Sequence, residues 1–317
     1  MPGESFSESL RIVLDSTPEL VAIPELPARG VQAAMIGRGV GMLAELGADL
    51  QPAGWRLTGS GSGADQRRAR SLLSQDLDDV EEQLQGFEGR LKVQVAGPWT
   101  LAAMVERPRG DRILADHGGR RDLSQSLAEG IRDHLASVAA RVPGASLVLQ
   151  IDEPMLPAVL AAQVPTASGW GRHRSIDKPE ADAALRLLVV AGTEAGATTV
   201  LHSCAPDLPV ELIAGAGFDA VSFDLTLMNA GDVWATAFDG GLDLWPGVIP
   251  SLDADGVSDK VLGKRVRDFF GALGFDAGAY ADRIVVTPTC GLAGASPSWA
   301  KRALRLSSNA AKAAVEG

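Results

Sequence analysis

The chain alternates short apolar runs with longer segments in which apolar residues recur every three or four positions. Several of the short runs are almost continuously apolar, which is typical of strands covered on both faces. The predicted strands are 50–58, 92–98, 146–154, 198–204, 218–225, 242–250 and 283–290. Strands that alternate with helical stretches in this way predict a parallel α/β fold.

The helical segments are marked by periodicity and by signals at their ends. Residues 64–85 are highly charged and predict a solvent-facing helix, whereas 123–140 and 179–195 carry apolar residues at helical spacing. The last helix has a clear beginning, with Ser296 as N-cap and Pro297 at the first helical position. We interpret residues 5–13 as a helix and 23–30 as a loop, so no strand is predicted in the first thirty residues.

The number and order of these elements favour a single barrel-like domain. No Pro/Gly/Ser-rich linker and no internal repeat divides residues 1–317, and (β/α)₈ TIM barrels reach this length as one unit. A closed barrel of this type has eight parallel strands, whereas seven are predicted here. Either one strand is irregular or the first strand of the barrel is missing.

Composition and charge limit the kinds of molecule and the cellular setting that the sequence predicts for this protein. The net charge of −11 and the pI near 4.9 argue against nucleic acid. The sequence has no run of about eighteen apolar residues, and its N-terminus has neither the basic nor the apolar region of a secretory signal, so no membrane association is predicted. Two cysteines in a chain of this length do not make a disulfide framework, and a cytoplasmic, reducing setting is the simplest interpretation.

Chemically reactive side chains lie at the carboxyl ends of the predicted strands, where the βα loops of a barrel converge. Residues two apart on a strand point to the same side, so His202 and Cys204 can share one metal ion, which Cys290 can reach from the last strand. Asp224, at the end of the strand after His202, can complete a tetrahedral set. Two thiolates and an imidazole favour zinc, and ligands spread over about ninety residues favour a catalytic site over a structural one.

The same residues also have simpler interpretations. A cysteine is more often a buried small hydrophobe than a reactive group. Asp152-Glu153-Pro154 can end a strand and cap a helix, and Asp224 can be a capping or solvated residue. Spacing alone leaves both interpretations open.

Four blocks in order resemble the catalytic half of cobalamin-independent methionine synthase. They are LQIDEP (149–154), LHSC (201–204), the carboxylate twenty-two residues after His202, and TPTCGL (287–292). That family joins two barrels in one long chain, and its C-terminal barrel carries zinc and homocysteine. This chain is similar to that barrel alone, over nearly all its length, and most similar to short single-barrel relatives from actinobacteria and archaea. The resemblance implies a TIM barrel that moves a methyl group to the thiol of homocysteine, giving methionine.

The resemblance also implies a zinc site. His202, Cys204 and Cys290 match the family's zinc ligands. The fourth family ligand is a glutamate, and this chain has Asp224 at that position. An aspartate can ligate zinc, but its shorter side chain requires a closer backbone.

The substrate contacts implied by the resemblance come from three other residues. Asp152 matches the carboxylate that binds the amino group of homocysteine, and Glu25 matches a second such carboxylate. Trp99, in the AGPWT segment, is expected to stack on the flat ring of the methyl donor. The donor is either a methyl-folate or a methylated corrinoid, delivered as methylcobalamin or by a corrinoid protein.

The resemblance offers an explanation for the missing strand. Relatives open with a strand that ends in a Gly-Ser-x-Pro-Gly type of loop, and Met1-Pro2-Gly3 resembles the tail of that loop. We therefore expect a first strand to precede Met1 in the natural protein.

Two other classes of function stay open. One is a related barrel enzyme, either a corrinoid-dependent methyltransferase with another thiol acceptor or a porphyrinogen decarboxylase, which needs no His-x-Cys pair with a distant cysteine. The other is a non-catalytic zinc-binding relative, which the Asp-for-Glu change keeps open. Zinc content separates the decarboxylase, and bound zinc without methyl transfer would favour the non-catalytic relative.

Overall fold

A curled parallel sheet surrounded by helices forms the centre of the protein. The computed structural model describes residues 1–59 and 61–316. The strands are β1 (Val21–Ala22), β2 (Ala48–Gln51), β3 (Gly54–Leu57), β4 (Gly89–Ala96), β5 (Ala145–Asp152), β6 (Thr198–Ser203), β7 (Ala220–Asp224), β8 (Asp243–Ile249) and β9 (Thr287–Pro288). The helices are α1 (Phe6–Ser16), α2 (Met35–Met42), α3 (Ala64–Gln83), α4 (Pro98–Met104), α5 (His117–Arg141), α6 (Leu156–Leu160), α7 (Lys178–Glu194), α8 (Val210–Ala216), α9 (Asp232–Asp239), α10 (Asp259–Ala272) and α11 (Pro297–Val315).

The sheet has the topology of an α/β barrel. Within the described residues, seven parallel strands pair in the order β1-β4-β5-β6-β7-β8-β9. Ala96, Asp152, His202 and Ser222 are in register on four neighbouring strands. Because parallel neighbours in register point to the same face, the strand ends bring these side chains to one level of the barrel interior. The predicted α/β barrel-type fold is confirmed.

One predicted strand has a different role. Residues 50–58 contribute to an antiparallel hairpin of β2 and β3, in which Leu50 pairs with Trp55, and this hairpin forms a separate sheet. The central sheet takes its first strand from Val21–Ala22, so the prediction of no strand in the first thirty residues was wrong. A strand of two residues is too short to show a period, and Pro24 follows it closely.

The helices largely follow the predicted pattern. Ser296 caps α11, its hydroxyl accepting a hydrogen bond from Trp299 N at 3.2 Å. The charged helix α3 is not only a solvated face, because Ala69, Leu73 and Val80 on one side of it are buried in the core. None of the described helices combines the length and the apolar character needed to cross a membrane.

The interior of the sheet changes character along the barrel axis. Val148, Val200, Ala220 and Trp245 form a small apolar cluster on the inner face. Polar residues follow toward the carboxyl ends of the strands. The sequence therefore builds an apolar floor and a polar mouth from alternate positions of the same strands.

Candidate active site

A cavity of about 390 Å³ lies at the carboxyl end of the sheet. Its lining includes Glu25, Asp152, His202, Cys204 and Cys290. A larger groove of about 950 Å³ runs on the outer surface between α2, α3 and α5, and it is lined by none of the site residues predicted within the described chain. The chemistry-bearing side chains therefore define the smaller, internal cavity as the candidate active site.

His202, Cys204 and Cys290 form a group that can hold a metal ion. Their ligand atoms all lie within 4.8 Å of one another, and no other such His/Cys/Asp/Glu group is found in the described part of the chain. His202 lies near the end of β6, Cys204 comes directly after that strand, and Cys290 follows β9. The strand alternation that predicted this meeting of side chains is thus seen in the structure.

The two thiols are arranged to share one proton. Their Sγ atoms are 2.9 Å apart, and both cysteines are free of disulfides. Hydrogen bonds from Cys204 and from His202 hold the pKa of the Cys290 thiol well below its ordinary value. The same contact with Cys290, together with burial, raises the pKa of Cys204. The contact therefore favours the thiolate form of Cys290, and the thiolate is the form of cysteine that binds metals.

Ser222 orients the imidazole of His202. The Nδ1 atom of His202 lies 3.0 Å from the Ser222 hydroxyl, and the two residues are in register on β6 and β7. A ring held through Nδ1 leaves Nε2 available to bind a metal ion, and metal-binding histidines are commonly oriented in this way. We did not predict Ser222 from the sequence, although it is a polar residue at an inward position of an apolar strand.

Asp224 lies outside the His/Cys/Cys group. Its Oδ1 accepts hydrogen bonds from the backbone N and the hydroxyl of Thr226, at 2.8 and 2.6 Å, and so caps the 3₁₀ turn Leu225–Leu227. The structure brings together three of the four predicted ligands and gives the fourth a local capping role. The short side chain of an aspartate favours such a bond to a residue two positions ahead.

Asp152 and Glu25 face the cavity from opposite parts of the chain. Burial raises the pKa of Asp152 to about 6, against the opposing effects of His202 and Lys92. Glu25, in the loop after β1, accepts a hydrogen bond at 3.2 Å from the buried guanidinium of Arg38. Met1 also lines the cavity. The two predicted substrate carboxylates thus lie on one internal surface.

A polar network that we did not predict lies below Asp152. The Gln150 amide donates to Asp152 Oδ1 at 2.7 Å, and Lys92 Nζ donates to Gln150 Oε1 at 2.9 Å and to Gln94 Oε1 at 3.1 Å. Gln94 in turn donates to the Ile23 carbonyl at 2.6 Å. The sequence signal was present, since Lys92, Gln94 and Gln150 are polar residues at alternate positions of apolar strands.

Glu153 and Trp99 connect the site to the surrounding helices. Glu153 is fully buried and accepts hydrogen bonds from Trp99 N, Thr100 N and the Thr100 hydroxyl at 2.7–2.9 Å. The indole of Trp99 is only 1% exposed, and its Nε1 donates to the Ala181 carbonyl at 3.3 Å. Because Trp99 is in the first turn of α4 and packs toward α7, it is a core residue, and stacking on a donor would require it to leave the core.

Comparison with known proteins places these features in a family. Residues 92–313 match the family described as "Cobalamin-independent synthase, Catalytic domain". The chain belongs to this family. The matched region includes the second part of β4 and all of β5 to β9, and therefore the Asp152, His202, Cys204 and Cys290 positions. The resemblance seen in the sequence is confirmed, and the protein is a methyltransferase of the cobalamin-independent synthase family.

Two solved structures are similar to this fold. One is a B12-independent methionine synthase from Shewanella sp. W3-18-1 in complex with selenomethionine, with 14% identity, a TM-score of 0.61, and coverage of 96% of this chain and 86% of that chain. The other is a methyltransferase from Methanosarcina mazei, with 15% identity, a TM-score of 0.58, and coverage of 98% and 84%. A search of curated proteins gives no significant match. At these identities, the structural likeness supports the fold.

Proposed function

We propose that the protein is a zinc-dependent methyltransferase that transfers a methyl group to the thiol of homocysteine, giving methionine. The observation that carries the proposal is the convergence of the His202/Cys204/Cys290 group and the Asp152 carboxylate on one cavity. The first can hold a metal that activates a thiol, and the second can bind an ammonium group. A thiol amino acid has both groups.

The residues present fit a zinc ion. Two thiols and one imidazole are the donor set that zinc prefers over oxygen-binding cations. When bound, zinc would lower the pKa of a coordinating thiol, so that the acceptor reacts as a thiolate. His202, Cys204 and Cys290 would hold the ion and leave it open to that acceptor, and we propose that Asp224 keeps its capping role.

The chain's own residues position the acceptor. Asp152 is held by Gln150, and Glu25 by Arg38, so both carboxylates have fixed directions in which to receive an ammonium group. The reaction forms an S–CH₃ bond and breaks the bond between the methyl group and its donor, whose electron pair leaves with the donor. Positioning of the thiolate against that methyl group is the main contribution of the protein.

The proposal keeps both donors, methyl-folate and a methylated corrinoid, because no described contact favours one of them. We also propose that residues 1–317 act as one unit and that the protein works in a reducing, cytoplasmic setting. That setting keeps Cys204 and Cys290 reduced and available for metal.

Assays of zinc-loaded protein with homocysteine, using methylcobalamin and methyl-folate in parallel, test this function. We expect methionine, detected by mass spectrometry, with at least one donor and its loss in Cys204→Ser and Cys290→Ser. Trp170→Ala, at a side chain that is 96% exposed, is the control and should keep wild-type activity. Zinc-loaded protein that makes no methionine with either donor would contradict the proposal and favour a non-catalytic relative.

A further inference from the structure

Lys92 is a basic side chain inside the candidate active site without a directly bonded carboxylate among the described residues. Its side chain lines the cavity, and its Nζ donates to two neutral amide oxygens, those of Gln94 and Gln150. Asp152 and Glu25 act on it electrostatically, but neither forms an ion pair with it. An ammonium group has three N–H donors, so two bonds leave one for a further acceptor.

The position of Lys92 is unfavourable without such an acceptor. Burial lowers the pKa of Lys92, which reflects the free-energy cost of holding a charge away from water. Lysine is rarely retained inside a protein unless it is paired. An apolar residue on the inner face of β4 would extend the floor formed by Val148 and Trp245.

The geometry places the positive charge beside a negative one. Gln150 lies between Lys92 and Asp152, with its amide oxygen on the lysine and its amide nitrogen on the carboxylate. The lysine and the carboxylate are thus separated by one amide group. This pair is complementary to an α-amino acid, because the lysine can face the carboxylate of the ligand and Asp152 its ammonium group. The α-carboxylate and the α-ammonium of such a molecule are likewise separated by one carbon atom.

We propose that Lys92 binds the α-carboxylate of the acceptor, so that the cavity recognises both charges of a zwitterionic amino-acid thiol. This inference rests on the proposed function and deepens it by assigning a residue that binds the carboxylate of the acceptor. Asp152 binds the ammonium group, Lys92 the carboxylate, and the His202/Cys204/Cys290 group faces the thiol. Thiols that lack the α-carboxylate are therefore poor acceptors.

Acceptors that lack one charge test the proposal. 3-Aminopropane-1-thiol is homocysteine without its carboxylate, and 4-mercaptobutanoate is homocysteine without its amine. Lys92→Met should lower kcat/KM for homocysteine by about 10- to 100-fold, the typical effect of a lost charge-assisted hydrogen bond. Its kcat/KM for 3-aminopropane-1-thiol should fall much less. Asp152→Asn should shift the preference in the opposite direction, toward 4-mercaptobutanoate.

The alternative is that Lys92 only positions Asp152 through Gln150 and does not contact the acceptor. The same assay distinguishes this role from carboxylate binding. Equal losses for homocysteine and 3-aminopropane-1-thiol would overturn the proposal, as would no loss for either. Circular dichroism checks folding, and Lys92→Gln, which keeps a hydrogen-bonding group without the charge, is the second variant if Lys92→Met is unstable. Wild-type protein that methylates none of the thiols would instead defeat the proposed function itself.

Discussion

The hydrogen bond between Ser222 and His202 is the contact that fixes the imidazole at the metal group. Ser222→Ala removes it with little change in volume, so the ring loses its fixed orientation and zinc affinity should fall about 10- to 100-fold. The measurement is a competition titration against a chromophoric zinc chelator. Ser203→Ala is the matched control, because Ser203 is a buried serine on β6 that points to the opposite side from His202. Equal affinities of the two variants would contradict this role for Ser222.

Asp224 gives a second residue-level prediction. Because its carboxylate caps the turn at Thr226, Asp224→Ala should keep the zinc content of the wild type, whereas Cys290→Ser should lose most of it. Metal analysis of the two variants, prepared side by side, makes the comparison. If Asp224→Ala loses as much zinc as Cys290→Ser, Asp224 is a ligand after all.

At the residue scale, the sequence predicts contacts that follow from strand alternation and misses those that depend on local competition. His202 and Cys204 were expected together because they are two apart on one strand, and they are together. Asp224 was expected with them because it ends the next strand, yet its carboxylate accepts hydrogen bonds from Thr226, two residues ahead. Trp99 was assigned by resemblance of its segment, which says nothing of the direction in which an indole points.

The carboxylate of Glu153 joins the end of β5 to the first turn of α4. Burial raises its pKa to about 7, against three hydrogen bonds that lower it. The native state therefore binds this proton more tightly than the unfolded state, and the stabilisation is full below about pH 4.5 and is lost as the pH rises through about 7.

Relative to Glu153→Gln, the wild type should lose up to about 3 kcal/mol of unfolding free energy between pH 5 and pH 8. The measurement is urea unfolding of both proteins in metal-free buffer at the two pH values. A wild-type-minus-variant difference that stays constant with pH would mean that the three hydrogen bonds outweigh burial and that Glu153 is ionised throughout.

At the element scale, long helices and fully apolar strands were predictable, whereas the two-residue strand β1 and the hairpin of β2 and β3 were not. The residues 50–58 have the apolar content of a strand, but the turn at Pro52-Ala53 divides them into a hairpin. Val21–Ala22 is a strand because its backbone pairs with that of β4. This pairing depends on residues far away in the sequence, so no local pattern predicts it. The barrel strand was thus assigned to the wrong segment, although the fold class was right.

For the molecule as a whole, substitution of Trp245 tests how much the apolar floor of the barrel contributes to the free energy of unfolding. Trp245 is 2% exposed within the inner cluster, so Trp245→Ala should lower the free energy of unfolding by about 3–5 kcal/mol. Trp170→Ala makes the same chemical change at a 96% exposed side chain and should stay within about 0.5 kcal/mol of wild type. Denaturant unfolding measures both, and similar losses would contradict the assigned floor.

One internal cavity is lined by the His202/Cys204/Cys290 group and by the two predicted substrate carboxylates, Asp152 and Glu25. The order of four sequence blocks predicted the family. The hydrogen-bond network of Lys92, Gln150 and Asp152 was found only in the structure. Residues on two strands come into contact only when the strands pair in a particular register, which the sequence does not show.

The central claim is that His202, Cys204 and Cys290 hold one zinc ion, and its most direct test is metal stoichiometry. Protein purified without chelator, loaded with zinc and dialysed, should contain about one zinc per chain by elemental analysis, and the Cys204→Ser/Cys290→Ser double variant should contain almost none. A wild type that retains no zinc, or a double variant that retains as much as the wild type, would contradict the account.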